Sequence, residues 1–167
     1  LREKILGADA HIVIRKVGGN IEEWHSVSDK IKSVDGVMSI SPYISQQALL
    51  RTDARSAGVI VRGIESNTES AKQIQSYLKN PGVLTEFFKD QQITVVRPDG
   101  SEDQAALPGI LIGRELSRTL SLFVGSTVSM LSPQVSSSPF GLMPRFRRFR
   151  VAGIYSSGLV EYENGLV

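Results

Sequence analysis

Two histidines, His11 and His25, lie fourteen residues apart. Neither falls in an H-x-x-E-H or H-x-x-x-H spacing with a second ligand, so no metal site is expected. The chain has no cysteine, which removes thiolate zinc sites and disulfide frameworks together while leaving the compartment open. Its serines are numerous, but none sits in G-x-S-x-G or S-x-x-K, the settings that would activate a hydroxyl as a nucleophile. Gly18-Gly19-Asn20 lacks the glycine and lysine layout that cradles phosphates. No catalysis, cofactor or bound nucleotide is therefore expected. What remains is charge. The net charge is only +2, too little to imply a nucleic-acid partner, yet four arginines crowd together at Arg145, Arg147, Arg148 and Arg150. Strand alternation places Arg145 and Arg147 on the face that later carries Phe149 and Val151, with Arg148 and Arg150 on the other. Two readings stand: arginines that keep an edge strand from aggregating, or forked donors aimed at a partner's carboxylates.

Immediately before them runs Ser132 to Phe146, SPQVSSSPFGLMPRF. It lies between Thr127–Leu131 (TVSML) and Phe149–Tyr155 (FRVAGIY), both with the period-two rhythm of half-buried strands, so it reads as the tip of a long hairpin. Pro133, Pro139 and Pro144 each fix φ and remove a donor, which predicts a segment too stiff for a linker and unable to continue a ladder. Phe140, Leu142 and Met143, near Gly141, cannot easily return to a core from such a finger, and exposed apolar residues there predict a docking element. A plain surface loop is the alternative.

These residues need a scaffold. With 167 residues, 41% hydrophobic and 22% charged, the chain can bury a core in one or two small domains. No apolar run approaches the ~18 residues of a membrane span, and the chain opens at Leu1, so it is expected to be a soluble piece of something longer. The pattern predicts a strand over Ala8–Val17, a helix over Ile21–Ser33 capped by Asn20 with Trp24 on its apolar face, and a strand over Val37–Tyr43, together a β-α-β unit. Strands are predicted at Ala48–Thr52 and Val59–Ile64, joined by the turn TDARS. A helix follows over Ser66–Leu78, ended by Asn80-Pro81-Gly82, and Arg97–Ala106 reads as a patternless polar turn. Ile110–Ile112 should be a strand, Gly113–Leu122 a helix, and Val124-Gly125-Ser126 a turn.

Three stretches together carry a family resemblance: LPGILIGRELSRTLSLFVGSTVSML at Leu107–Leu131, the finger SPFGLMPRFRRF, and the closing VAGIYSSGLVEYENGLV. They resemble the periplasmic domain of lipoprotein-releasing ABC transporter permeases of the LolC and LolE type. The opening ILGADAHI resembles the point where such permeases leave their first transmembrane helix. The GREL and GSTV block is shared with macrolide-exporter and FtsX-like permeases, so the finger is the discriminating part. The resemblance implies an α+β fold with a membrane-proximal Porter-like lobe over residues 1–65 and a Sabre-like lobe over residues 66–167. It also implies that the finger at residues 132–146 is the family's hook, which holds the periplasmic carrier LolA. Pro133, Pro139, Phe140, Gly141, Leu142, Met143, Pro144, Arg145 and Arg147 are then the partner-binding residues. Further implied are a second permease subunit, a separate LolD-type ATPase, lipoprotein cargo, no nucleic acid, and a place on the periplasmic side of the inner membrane of a Gram-negative bacterium. The family's domain continues with a further β-α-β stretch, so ending at Val167 is expected to leave the edges near Val37–Tyr43 and Val59–Ile64 uncovered and prone to self-association. An adaptor-binding domain of an efflux permease is the rival within the fold, and a periplasmic hydrolase domain the rival outside it.

Overall fold

The structure is a computed structural model and describes residues 11–78, 80, 82–96, 100–138 and 141–167. Its centre is a five-stranded sheet, ordered β2-β1-β6-β7-β5. β1 (Tyr43–Arg51) and β2 (Ser56–Ile64) form a hairpin because Thr52 closes the turn twice. Its N–H donates to the Arg55 carbonyl at 2.8 Å, and its Oγ1 accepts from the Arg55 N–H at 3.1 Å. The Arg55 guanidinium then reaches the Thr119 carbonyl at 2.6 Å, tying the turn to a helix distant in sequence. β6 (Thr127–Ser138) and β7 (Gly141–Tyr155) are antiparallel to one another, and β6 is antiparallel to β1. β5 (Gly109–Gly113) joins β7 in parallel, which requires the crossover through α4 (Arg114–Leu120). Leu50, Ile112, Leu116, Val128 and Val151 interdigitate on the inner side, each under 2% exposed, and form the core.

The fold class is α+β, as expected, and the hairpin, β5, α4 and the turn at Gly125 (φ 92°) lie where the sequence placed them. Among the described residues the expected amino-terminal β-α-β unit does not form, and residues 8–10, where its first strand was expected to begin, lie outside them. Residues 11–17 hold no strand, with Ile12, Val13, Ile14 and Val17 exposed, because no described strand offers a ladder to their alternating pattern. Residues 37–42 are likewise outside any ladder, and β1 starts only after Pro42. The helix α1 (Trp24–Lys32) begins three residues later than expected, with Glu23 rather than Asn20 at its cap and no side-chain capping bond. Trp24 is half-buried and stacks on His25. One sheet spans the boundary expected at residue 65, since β1 and β2 precede it while β5, β6 and β7 follow.

Beyond β2, α2 (Glu69–Tyr77) is capped by Thr68, whose hydroxyl accepts from the Ala71 N–H. α2 ends at Tyr77, with Leu78 already extended, as the Asn80-Pro81-Gly82 punctuation predicts, and a further short helix follows. The Asn80 side chain accepts from the Gly82 N–H at 3.0 Å and α3 (Gly82–Phe87) starts there. Its Val83, Leu84 and Phe87 cover Leu111, Ala152 and Tyr155, a second and smaller core. Residues 102–106 of the stretch read as a polar turn belong instead to β4 (Glu102–Leu107), which pairs with β3 (Gln91–Val96) in a separate two-stranded sheet, while residues 97–99 lie outside the described residues.

The carboxy-terminal α5 (Val160–Gly165) closes the curl of the sheet by touching both β5 and β2, strands at opposite edges. It lies so near β5 that a Cβ on Gly113 would collide with the backbone of Glu163. The Glu163 carboxylate accepts from the Gly158 N–H at 2.9 Å and the Ser156 hydroxyl at 3.2 Å, fixing the turn that leads into the helix. The Tyr155 hydroxyl sits 2.8 Å from the Tyr162 carbonyl and 2.7 Å from that of Leu166, either of which can take its proton. Val167 then pairs with β2, donating to the Ile60 carbonyl at 3.0 Å and accepting from the Arg62 N–H at 2.7 Å. The edge at Val59–Ile64, expected to be bare, is thus partly occupied.

Two outcomes test this closure. Gly113→Ala should destabilise the chain by about 1–3 kcal/mol in urea unfolding, the usual cost of overpacking, while Gly58→Ala, where a Cβ meets nothing, should change little. Burial, reinforced by the Glu163 carboxylate and opposed by Arg62, raises the Tyr155 phenol well above its ordinary 10.0. The folded chain therefore keeps a proton that the unfolded chain loses, and stability present below pH ~10 should fall by up to about 1.4 kcal/mol per pH unit above it. In alkaline unfolding series, Tyr155→Phe should remove that part of the slope.

Candidate functional site: a two-stranded ribbon and its root

Strands β6 and β7 do not stop where the core stops. Their ladder runs from Thr127 opposite Arg150 to Ser138 opposite Gly141, so the finger is a continuous β-ribbon. This corrects the expectation that its prolines forbid a ladder. Pro133 falls within a bulge, where pairing jumps from Ser132–Arg145 to Val135–Pro144 and the intervening β6 residues make no pair. Pro144 lies in the ladder, because a two-stranded ribbon leaves alternate residues with no inter-strand bond to make, and proline is tolerated there.

Gly141, Leu142, Met143 and Arg145 occupy ladder positions opposite Ser138, Ser137, Ser136 and Ser132. Pro139 and Phe140 lie outside the described residues. Arg147 is opposite Met130, exposed, with its guanidinium 5.7 Å from the Phe149 ring centroid. That distance suits a weak cation–π contact that turns the charge toward the strand while leaving it wet.

Arg147, Arg148 and Arg150 separate by what surrounds them. Arg150 is part of the scaffold: it is half-buried, and its guanidinium donates to the Glu86 carbonyl at 3.1 Å, at the end of α3. Its Nε is buried without a hydrogen-bond partner, a cost accepted in holding the helix against the sheet. Arg148 is exposed and stands in a cross-strand row with Ser129 and Arg51. Beside that row, on the side away from the core, Phe146 pairs with Leu131 and Leu131 with Leu49. Phe146 is 60% exposed and Leu49 38%, so the root of the ribbon carries an apolar strip flanked by guanidinium groups. Aromatic and arginine side chains set side by side are the usual composition of protein-binding surfaces. Sequence reading missed Leu49 and Arg51 because only the long-range pairing of β1 with β6 brings them to the ribbon. The sequence signal available was the exposed-side alternation of YISQQALLR, which leaves Leu49 out of the core set.

Among the described residues no group of histidine, aspartate and glutamate side chains could hold a metal ion, and no helix is long and apolar enough to cross a membrane. Unfolding measurements should separate the arginines: Arg150→Ala costs about 1–2 kcal/mol through the lost contact with α3, whereas Arg148→Ala stays within about 0.5 kcal/mol.

No family model matches the chain. Among curated proteins it is similar to the lipoprotein-releasing system transmembrane protein LolC of two strains of Xylella fastidiosa, each 29% identical over 166 residues. It is also similar to LolC of Neisseria meningitidis serogroup B, at 27% over 169 residues. Each alignment covers 99% of this chain and 36% of the relative, so the chain spans about a third of the length of the proteins it matches. The resemblance to lipoprotein-releasing permeases read from the three motif stretches is borne out along nearly the whole chain.

Proposed function

We propose that the chain is a periplasmic portion of a lipoprotein-releasing ABC permease, and that its ribbon is where a LolA-type carrier docks to receive lipoprotein cargo. The carrying observation is the β6–β7 ladder continuing to Ser138–Gly141, beyond the stretches of β6 and β7 that β1 and β5 pair with. A hydrogen-bonded ribbon holds its tip at a fixed place relative to the core, as a docking arm must. Gly141, Leu142 and Met143 are paired at the far end of the ladder, and together with Pro139 and Phe140 they are the apolar residues that would meet the carrier, with Pro133 and Pro144 limiting the backbone between them and the core. Arg145 and Arg147 supply charge at its root. In this reading the chain does no bond chemistry. A LolD-type ATPase and a second permease subunit act in the complete inner-membrane complex, and this portion recognises the carrier and transmits movement to it.

The test is carrier binding by the chain. Replacing Phe140, Leu142 and Met143 together with serine should weaken affinity by about 100-fold or more, the scale of a lost interface hot spot. Thermal unfolding should barely move, since surface changes usually stay within about 0.5 kcal/mol. Affinity should also fall with added salt, and less steeply in Arg147→Ala, because exposed charges are screened over ~10 Å at 0.1 M. Undiminished binding by the triple variant overturns the proposal, and capture of an efflux adaptor in place of the carrier would point to the rival permease class.

A further inference from the structure

The pairing of β1 with β6 is short: Leu49 with Leu131, Leu50 with Met130, and Arg51 with Ser129. From Tyr43 to Ala48, β1 is paired with β2 alone, because the bulge at Pro133 turns β6 away. The direction of each main-chain group there follows from two bonds. Thr52 and Arg55 are a hydrogen-bonded pair, so counting back by twos, Leu50, Ala48, Gln46 and Ile44 bond to β2. The Ile60 carbonyl and Arg62 N–H, opposite Gln47 and Ser45, face away from β1 and bond Val167, which fixes the same phase independently. The N–H and C=O of Ser45 and Gln47 therefore point into the opening between β1 and the departing ribbon, where no described strand meets them.

Proteins usually blunt such an edge with charge, proline or a covering segment. The segment YISQQA carries no charge and no proline, and Ser45 and Gln47 are exposed. By contrast the outer edge of β2 is taken by Val167. Across the opening, the Gln46 amide donates to the Ser132 hydroxyl at 3.1 Å, and Ser132 is the ladder partner of Arg145. Arg147, exposed, stands in the cross-strand row of Leu50 and Met130. The opening thus lies one cross-strand row from Arg147, at the root of the ribbon.

We infer that this free half of β1 accepts an extended, acidic segment of the docking carrier as an added strand, its main chain bonding Ser45 and Gln47 and its carboxylates facing Arg147. A row of main-chain donors and acceptors at two-residue spacing is matched by another extended main chain, and the exposed Arg147 one row away favours negative side chains on it. The inference rests on the carrier reading and names the form of the segment that the chain would grip.

Amide hydrogen exchange of the chain, alone and with saturating carrier, tests it. In the free chain Ser45 and Gln47 should exchange freely while Gln46 and Ala48, bonded to β2, are protected. With carrier bound, Ser45 and Gln47 should slow by roughly 10-fold or more. Gln47→Pro, which removes only an outward donor, should weaken carrier binding about 5–10-fold with Gln46 and Ala48 still protected. Carrier binding that leaves Ser45 and Gln47 exchanging freely overturns the added strand and spares the ribbon reading. Failure of the unaltered chain to bind carrier overturns both, and protection that rises with chain concentration alone would assign the edge to a second copy.

Discussion

The register between β6 and β7 is the constraint on which the molecule depends. One ladder, from Thr127–Arg150 to Ser138–Gly141, serves the core at one end and the projecting ribbon at the other. At the core end it sets Val128, Met130 and Val151 inward, at 1%, 6% and 0% exposure. A slip of one residue would turn that set to solvent, so the buried end enforces a unique register. β1 builds on β6, and β5 builds on β7. Arg150 brings α3 to the sheet, while Tyr155 at the end of β7 secures α5.

The same alternation distributes the positive charge. A run written RFRRFR in sequence has no single role. Arg150 is spent on the Glu86 carbonyl, Arg147 lies over Phe149, and Arg148 faces outward beside Ser129. Of the two readings open from the sequence, neither fits all three described arginines: the scaffold accounts for Arg150, and the exposed Arg147 and Arg148 remain for solvent or a partner. Polar recognition at the root and apolar surface at Phe146 and Leu49 are compatible because adjacent cross-strand rows keep them separate.

What could be read from the sequence was what is local. The Thr52–Arg55 turn, the buried alternation of Ile110–Ile112, and the GREL helix each carry their signal within a few residues. The failures are all questions of partnership. HIVIRKV alternates like a strand but has no described ladder, and alternation alone does not satisfy a backbone. EDQAAL alternates poorly yet pairs with QQITVV, its main chain satisfied by a neighbour that the local pattern does not reveal. The prolines of the finger argue against a ladder only when each is weighed singly, whereas the ladder asks only whether a donor is needed at that position. For the site, the arginines and the finger were evident; the strip at Leu49 and the open edge at Ser45 and Gln47 depend on pairings some 80 residues apart in sequence.

The bulge at Pro133 has a geometric effect beyond accommodating a proline. Between the pairs Ser132–Arg145 and Val135–Pro144, β6 advances three positions while β7 moves back one, an excess of two residues. An even excess keeps the alternation of the outer ribbon in phase with that of the core, though the bulge bends the ribbon's axis. β7 runs through the same place with no inserted residue, so its own alternation fixes which side of the arm faces which way, and the bulge changes the direction in which the arm points. Aim and facing are thus separable properties of the arm, the first governed by where the bulge sits and the second by the uninterrupted alternation of β7.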